Sequence, residues 1–324
     1  MRDDAVERGG VDGSEGDADV AGGSDAVDGS EGDAAAVETL AETAERAVTA
    51  GGGYLRDRFT SGRSDADYSA MDVKTVADRE AEERILSVLG ERHPGHAITS
   101  EESGDHAGEA VRWVVDPLDG TNNFAVGIPT FGVAATAVTA DAPLASASDA
   151  AGGDDAAQLD GRTSVTGADP RDPLATAVAV PMLDDRYVAH RDGGVRYNGE
   201  RVTVATGDTV EPAHATVGML VGPAVLSGGA EAREWEAVAE AVEREVKRGI
   251  RTWAPVVYWG LFARGKLDGF VAYYPPEREQ LAGELLAREA DAVERSEGGL
   301  SVFGADEATA DALWTAATDA LDEV

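Results

Sequence analysis

The chain has 324 residues, of which 43% are apolar, so it is long enough to close a sizeable hydrophobic core. Its 27 basic and 62 acidic residues give a net charge of −35, which opposes binding to nucleic acid and to anionic lipid. Because the chain contains no cysteine, disulfide bonds, a thiolate nucleophile and sulfur-ligated metal sites are excluded.

Two further features bear on where the protein operates. No stretch is apolar over the length that a bilayer requires, and the first residues lack the basic flank and apolar segment of a secretory signal. We therefore expect a soluble, cytoplasmic protein that does not bind membranes. Lysine is rare, since only three of the 27 basic residues are lysines, and this pattern is typical of proteins that function in concentrated salt.

Two segments are expected to lie outside the folded core. Residues 1–35 hold 11 acidic residues and two arginines, lack aromatic residues and repeat the octapeptide VDGSEGDA from residues 11 and 27. Such a segment buries too little apolar surface to offset the entropy lost on ordering, so we predict a disordered acidic tail. Weak periodicity and clustered glycine and aspartate predict a flexible insertion at about 140–173. The folded domain is then expected to span residues 36–324.

Outside these two segments, helical and extended patterns alternate along the chain. Apolar residues at helical spacing predict helices over 37–59, with an interruption at the glycines 51–53, and over 78–93, 231–247, 256–264, 279–290 and 306–321. Short runs of small and β-branched residues predict strands over 97–99, 131–138, 176–181, 187–189, 215–221, 250–253 and 269–273. This alternation predicts an α/β (α+β) layered sandwich of helices and mixed sheets.

The stretch from Trp113 to Phe124 carries the strongest chemical signal. A short apolar run ends in Asp116 and Asp119, which are separated by a proline that fixes its own φ. Both carboxylates and the Leu118 carbonyl can therefore face one volume. Carboxylate and carbonyl oxygens are the ligands that Mg²⁺ prefers in proteins, so the stretch predicts a magnesium site.

The residues that follow favour an anion beside this metal site. Gly120 allows a phosphate to approach the backbone closely, and Thr121 precedes a predicted short helix at 122–125. A hydroxyl and free backbone N–H groups at a helix start favour an anion. The alternative is that residues 116–121 form only a turn and a helix cap, because Asp-Pro and Asp-Gly pairs are common in turns.

Four segments together resemble the inositol monophosphatase family. VDPLDGTNNF at 115–124 is similar to the family signature, SEES at 100–103 to its glutamate-bearing loop, KTVAD at 74–78 to the entry of its second helix, and DGGVRYNGER at 192–201 to its glycine-rich hairpin. The family comprises Mg²⁺-dependent, often lithium-sensitive phosphatases, including archaeal fructose-1,6-bisphosphatases and adenosine-bisphosphate nucleotidases. The resemblance runs from about residue 36 to the C terminus and implies the family's layered fold and a homodimer.

The resemblance also implies roles for individual residues. The implied metal ligands are Glu101, Asp116, the Leu118 carbonyl and Asp119. The implied catalytic residues are Glu101 and Thr121, which would orient the attacking water, and Asp119. The implied phosphate-binding residues are Gly120, Thr121 and Asn122. Hydrolysis by metal-activated water needs neither a histidine base nor a protein nucleophile.

The chain departs from the family at its second signature. Arg278 stands where the family has tryptophan, Glu279 where it has a metal-binding aspartate, and Ala272 where many members have a substrate-contacting glutamate. Two outcomes are open. Glu279 binds the metal in an altered pocket, or the chain is a divergent, non-catalytic paralogue that binds a phosphorylated metabolite or a protein partner.

The intact first signature favours activity. We expect a Mg²⁺-dependent phosphomonoesterase acting on a small phosphorylated metabolite, namely an inositol phosphate or a sugar phosphate such as fructose-1,6-bisphosphate. A 3′-phosphoadenosine-type nucleotidase is a further alternative. The histidines offer no competing metal motif, since His93 and His96 flank a Pro-Gly turn and are expected to be surface loop residues.

Overall fold

A computed structural model of the chain describes residues 29–62, 66–68, 73–109, 111–139, 173–205, 207 and 210–324. Most of the predicted tail (residues 1–28) and nearly all of the predicted insertion (residues 140–172) lie outside the described residues. The first helix begins at Gly29, so the predicted domain boundary at residue 35 falls within a helix.

The described residues form eight helices and fifteen strands. The helices are α1 (Gly29–Thr60), α2 (Val76–Arg92), α3 (Thr121–Val126), α4 (Pro223–Leu226), α5 (Ala230–Glu245), α6 (Pro255–Ala263), α7 (Glu277–Glu289) and α8 (Glu307–Asp322). The strands are β1 (Ala66–Tyr68), β2 (Val73–Thr75), β3 (Ala97–Ser100), β4 (Gly104–His106), β5 (Val111–Asp119), β6 (Gly132–Thr139), β7 (Ala175–Val180), β8 (Asp185–His190), β9 (Gly194–Tyr197), β10 (Glu200–Val202), β11 (Thr216–Val221), β12 (Arg248–Arg251), β13 (Gly269–Tyr273), β14 (Val293–Glu297) and β15 (Leu300–Gly304).

The strands form two large mixed sheets and one short ribbon. The first sheet has eight strands in the order β10-β9-β8-β7-β6-β5-β3-β4, and the second has five in the order β12-β11-β13-β15-β14. In the first sheet the β3–β5 pair is parallel and the other neighbours are antiparallel. In the second sheet β11 pairs in parallel with β12 and β13. Strands β1 and β2 form the ribbon.

Helices cover both sheets in three layers. Helices α1 and α2 bury their apolar faces on one side of the eight-stranded sheet, around β5, β6 and β7. Helices α6 and α7 fill the space between the two sheets. Helices α5 and α8 cover the outer face of the five-stranded sheet. This arrangement confirms the predicted layered sandwich, because each amphipathic face is buried against the next layer.

Helix α1 corrects one prediction. The glycines 51–53 were expected to interrupt it, but the helix runs through them without a break. The reason is close packing: a Cβ atom on Gly51 would lie 2.8 Å from Ile85, and one on Gly52 would lie 3.2 Å from Pro181. The absence of side chains therefore lets α2 and the end of β7 approach the helix, which offsets the helical cost of glycine.

Most other predicted elements occur within a few residues of their expected bounds, and β13 matches its prediction residue for residue. Several elements were not predicted. They include the antiparallel hairpin of β14 and β15, the short strands β1, β2 and β4, and helix α4. Among the described residues, none of the helices combines the length and apolar character needed to cross a bilayer.

Candidate active site

A bulge at the carboxyl end of β5 positions the two aspartates of the first signature. Asp116 pairs with Ala134 of β6 and Asp119 pairs with Gly132, so β5 has one more residue than β6 between these pairs. Proline cannot donate to a sheet ladder and is accepted at such bulges, which accounts for Pro117 at this point. The irregularity allows two side chains three residues apart to reach the same site.

Three carboxylates meet there. Carboxylate oxygens of Asp116, Asp119 and Glu279 lie within 4.8 Å of one another. Asp116 and Asp119 are buried, at 2% and 4% exposure. Glu279 lies in the first turn of α7 and is partly buried, but its Oε2 atom is fully buried and has no hydrogen-bond partner in the described residues. The structure therefore brings the substituted residue of the second signature to the residues of the first.

The cluster is electrostatically costly without a cation. Burial is the main cause that raises the pKa of Asp116 well above its ordinary value, and the charges of Glu101 and Glu279 add to it. Burial and the charge of Asp116 likewise raise the pKa of Asp119. Burial raises the pKa of Glu279 to about 7. Buried carboxylates are usually paired or bound to metal, and an all-oxygen set fits a hard divalent cation.

Helix α6 approaches the cluster through its N terminus. The Val256 backbone N–H donates to Asp119 Oδ2 at 2.8 Å, which fixes that carboxylate against the first turn of α6. Gly120 has a φ of 88°, and a Cβ atom there would lie 2.9 Å from the Ala254 Cβ atom. The glycine is therefore needed both for the left-handed backbone and for the approach of α6.

A threonine–aspartate pair lies beside the carboxylates. The Thr121 hydroxyl lies 3.0 Å from Asp78 Oδ1 and 2.8 Å from the Leu118 carbonyl oxygen, so it can donate to either. Asp78 is buried and also caps α2, because its Oδ2 accepts from the Thr75 backbone N–H at 2.8 Å. Burial raises the pKa of Asp78. The KTVAD motif pointed to this aspartate, but no individual role in the site was predicted for it.

A further carboxylate, that of Glu101, lies at the rim of the cluster. Glu101 Oε1 lies 3.6 Å from an Arg278 guanidinium nitrogen, and both side chains are about a quarter exposed (28% and 26%). The Glu101 charge contributes to the raised pKa values of Asp116, Asp119 and Glu279, so it lies within electrostatic reach of all three. Arg278 belongs to the first turn of α7, directly before Glu279.

The remaining predicted residues fall into two groups. Gly120 and Thr121 lie at the start of α3 against the cluster, whereas Asn122 is exposed on α3. His93 and His96 lie in the loop between α2 and β3, as predicted, but both are partly buried. Their rings stack at 4.4 Å, and His96 Nδ1 lies 3.1 Å from the Trp113 indole nitrogen, so both pack against the base of β5. In the described part of the chain, no second group of three potential metal ligands occurs.

The fold and the site together define a class: a layered α/β protein with a cluster of buried carboxylates that could hold a metal ion, beside a threonine–aspartate pair. The sequence model of the inositol monophosphatase family matches residues 36–148. The chain resembles this family over that segment. The matched segment includes the first signature and ends well before Glu279.

Two relatives match a larger part of the chain. The chain is 28% identical over 224 residues to the Nus factor SuhB of Salmonella typhimurium, which covers 68% of this chain and 71% of that protein. It is 25% identical over 255 residues to a fructose-1,6-bisphosphatase/inositol-1-monophosphatase of Aquifex aeolicus, covering 78% and 83%.

Two solved structures have a similar fold. The extragenic suppressor protein suhB from Bartonella henselae matches with a TM-score of 0.68 and 22% identity, covering 87% of this chain and 98% of that chain. The inositol monophosphatase from Anabaena (Nostoc) sp. PCC 7120 matches with a TM-score of 0.66 and 18% identity, covering 89% and 97%.

Proposed function

We propose that the protein is a Mg²⁺-dependent phosphomonoesterase that hydrolyses a small phosphorylated metabolite, either an inositol phosphate or a sugar phosphate such as fructose-1,6-bisphosphate. The observation that carries this proposal is the cluster of Asp116, Asp119 and Glu279, whose oxygens lie within 4.8 Å of one another. Glu279 keeps a third carboxylate in the site, although it replaces the family's aspartate. Because the carboxylate is kept and only the side chain is longer, the substitution indicates an altered metal site rather than a lost one.

Five oxygen donors of this chain would hold the cation: Glu101, Asp116, the Leu118 carbonyl, Asp119 and Glu279. When bound, a divalent cation supplies positive charge to the phosphate oxygens and acidifies adjacent water. The buried position of Asp116 and Asp119 excludes bulk water from these ligands, which strengthens their attraction to the cation.

The chain's own residues would orient the attacking water. Because the Thr121 hydroxyl donates to Asp78 or to the Leu118 carbonyl, its oxygen lone pairs stay available to accept a hydrogen bond from water. The Glu101 carboxylate can accept the second hydrogen bond of that water. The backbone N–H groups of Gly120 and Thr121 would bind the phosphate. Water then attacks phosphorus, the phosphorus–oxygen ester bond breaks, and an alcohol and inorganic phosphate leave.

The substrate is less constrained than the reaction. Ala272 is fully buried in β13 between the sheets, so it offers no polar group where many family members contact substrate. This favours a sugar phosphate at least as much as an inositol phosphate. A 3′-phosphoadenosine-type nucleotide is the third substrate class to test.

A single assay tests the reaction. The purified full-length chain in concentrated KCl should release phosphate from inositol-1-phosphate, fructose-1,6-bisphosphate or adenosine-3′,5′-bisphosphate when Mg²⁺ is present and should not do so with EDTA. Asp119→Asn should abolish release, whereas Asp311→Asn, an exposed aspartate paired with Arg295, should leave it unchanged. Absence of Mg²⁺-dependent release from all three substrates would refute the proposal.

A second candidate is a non-catalytic binding protein, and one observation favours it: several relatives at 27–28% identity are named Nus factors. On this reading the chain binds a protein partner or a phosphorylated metabolite without turnover. Its net charge of −35 argues against direct contact with nucleic acid. Tight Mg²⁺ binding without phosphate release in the same assay would favour this candidate.

Three expectations accompany the proposal: a cytoplasmic location, a homodimer and function in concentrated salt. The dimer is tested by light scattering of the full chain in KCl. The salt expectation is tested by thermal unfolding across a KCl series, where screening of the −35 net charge should raise the melting temperature as KCl increases.

A further inference from the structure

Arg278 brings a positive charge into an otherwise acidic site. It is the second residue of α7, and the preceding strand and turn carry no other basic side chain from Gly269 onward. Its guanidinium lies 3.6 Å from Glu101 Oε1, and its backbone is joined directly to that of Glu279 in the carboxylate cluster. Arg278 therefore connects the rim carboxylate to the helix that delivers the third ligand.

The charge of Arg278 reaches beyond this ion pair. It is the cation that lowers the pKa of both Asp116 and Glu279, against the larger effect of burial. A fixed positive charge that stabilises these ionised carboxylates also repels a divalent cation drawn to the same oxygens. The ion pair with Glu101 adds a direct conflict, since one carboxylate oxygen cannot contact the guanidinium and a metal ion equally well.

We propose that Arg278 is a positioning residue that competes with the divalent cation for Glu101 and thereby sets how tightly the site binds metal. This inference rests on the proposed metal site and extends it, because it assigns a role to a residue at which the chain departs from its family. In the metal-free protein Glu101 pairs with Arg278. Binding of the cation through Glu101 requires that pair to separate, which lowers the measured affinity.

Mn²⁺ binding to the full-length chain tests the inference without reference to turnover. Free Mn²⁺ is measured by electron paramagnetic resonance during titration in concentrated KCl at fixed pH. Arg278→Gln should lower the Kd for Mn²⁺ by about tenfold, the order expected for removing one nearby, partly screened charge. Arg278→Lys keeps the charge and should stay close to the wild-type Kd, although it loses the planar guanidinium contact.

Two comparisons separate this mechanism from simpler ones. Arg288→Gln removes an arginine from the last turn of the same helix, where it pairs with Glu284 and Glu294, and it should leave the Kd unchanged. In a Glu101→Gln background, Arg278→Gln should improve the Kd by less than about threefold, because the competition acts through the Glu101 carboxylate. Each variant is accepted only if its far-ultraviolet circular dichroism and thermal unfolding match the wild type. If Arg278→Gln does not meet this criterion, Arg278→Met replaces it.

The outcomes are distinct. A Kd for Arg278→Gln equal to or weaker than that of the wild type overturns the inference, and so does a gain that persists undiminished without Glu101. Absence of saturable Mn²⁺ binding in every variant overturns the inference together with the metal site. If the Kd values follow the prediction while no phosphate is released from any substrate, the proposed function fails and the role of Arg278 stands.

Discussion

Removing the charge of Glu279 should make the metal-free protein less sensitive to pH. Its pKa is raised from 4.5 to about 7, chiefly by burial. A carboxyl group whose folded pKa is raised stabilises the fold fully below its unfolded pKa, and this stability is lost as pH rises through the folded pKa. One pKa unit corresponds to ~1.4 kcal/mol, so ionising Glu279 in the metal-free fold costs about 3 kcal/mol.

The assay is urea unfolding in concentrated KCl with EDTA, compared at about pH 4 and about pH 8. The wild type should lose at least this ~3 kcal/mol of unfolding free energy between the two values. Burial also raises the pKa values of Asp116 and Asp119, so their ionisation adds to the loss as the pH rises. Glu279→Gln should remove about 3 kcal/mol from that loss.

The matched control is Glu240→Gln, which removes an acidic side chain that is 72% exposed on α5 and should leave the pH dependence as it is. Mg²⁺ provides the second comparison, because a cation that binds the ionised carboxylates should restore the stability of the wild type at about pH 8. Equal pH dependence in Glu279→Gln and in the wild type would refute the placement of Glu279 in a dry, acidic cluster.

Three further changes test other parts of the site. Asp119→Asn should reduce Mg²⁺-dependent phosphate release by at least ~10²-fold, measured by steady-state kinetics, and residual full activity would contradict its role as ligand. Trp253 is 60% exposed and lies two residues before α6, whose first turn contacts Asp119. If Trp253 contacts the substrate, Trp253→Ala should raise KM several-fold with little change in kcat, and an unchanged KM would contradict that contact. A Cβ atom on Gly283 would lie 2.2 Å from the Trp259 ring, so Gly283→Ala should destabilise the fold by about 1–3 kcal/mol in urea unfolding, whereas Gly90→Ala, with open space around its Cβ position, should be neutral or stabilising.

Local sequence signals predicted the helices and strands whose positions do not depend on contacts with distant segments. Helix α2 begins with a capping box between Thr75 and Asp78 and ends just before Pro94, and both signals are visible in the sequence. Strand β13 is a short run of apolar residues between turn-forming segments. The fold class followed from the alternation of such elements, because amphipathic helices and strands have few ways to bury their apolar faces.

Other features depend on contacts between distant segments. The glycines of α1 read as a break, and only the approach of Ile85 and Pro181 explains why the helix continues. Strand β14 reads VERSE, and its polar character hid the hairpin that it forms with β15. The position of His96 against Trp113 depends on a turn whose direction the sequence does not specify.

In the candidate site, too, some residues could be predicted from local sequence and others depend on contacts between distant segments. The first signature could be read directly, because Asp116 and Asp119 lie on one strand and the bulge between them follows from Pro117. Whether Glu279 reaches them depends on the placement of α7, which packs in the middle layer through the contact of Gly283 with Trp259. No local pattern around Glu279 carries that information.

The energetics of the site argue that it binds a cation. Asp116 and Asp119 are buried, and burial together with the charges of neighbouring carboxylates raises both pKa values, so the metal-free cluster works against folding. Packing does not require these carboxylates, since apolar side chains of similar size would fill the space at lower cost. Arg278 offsets only part of the repulsion, because it pairs with Glu101 at the rim and not with the buried pair. Such unfavourable groups persist where a ligand stabilises them, and a divalent cation is the ligand whose charge and oxygen preference fit the cluster.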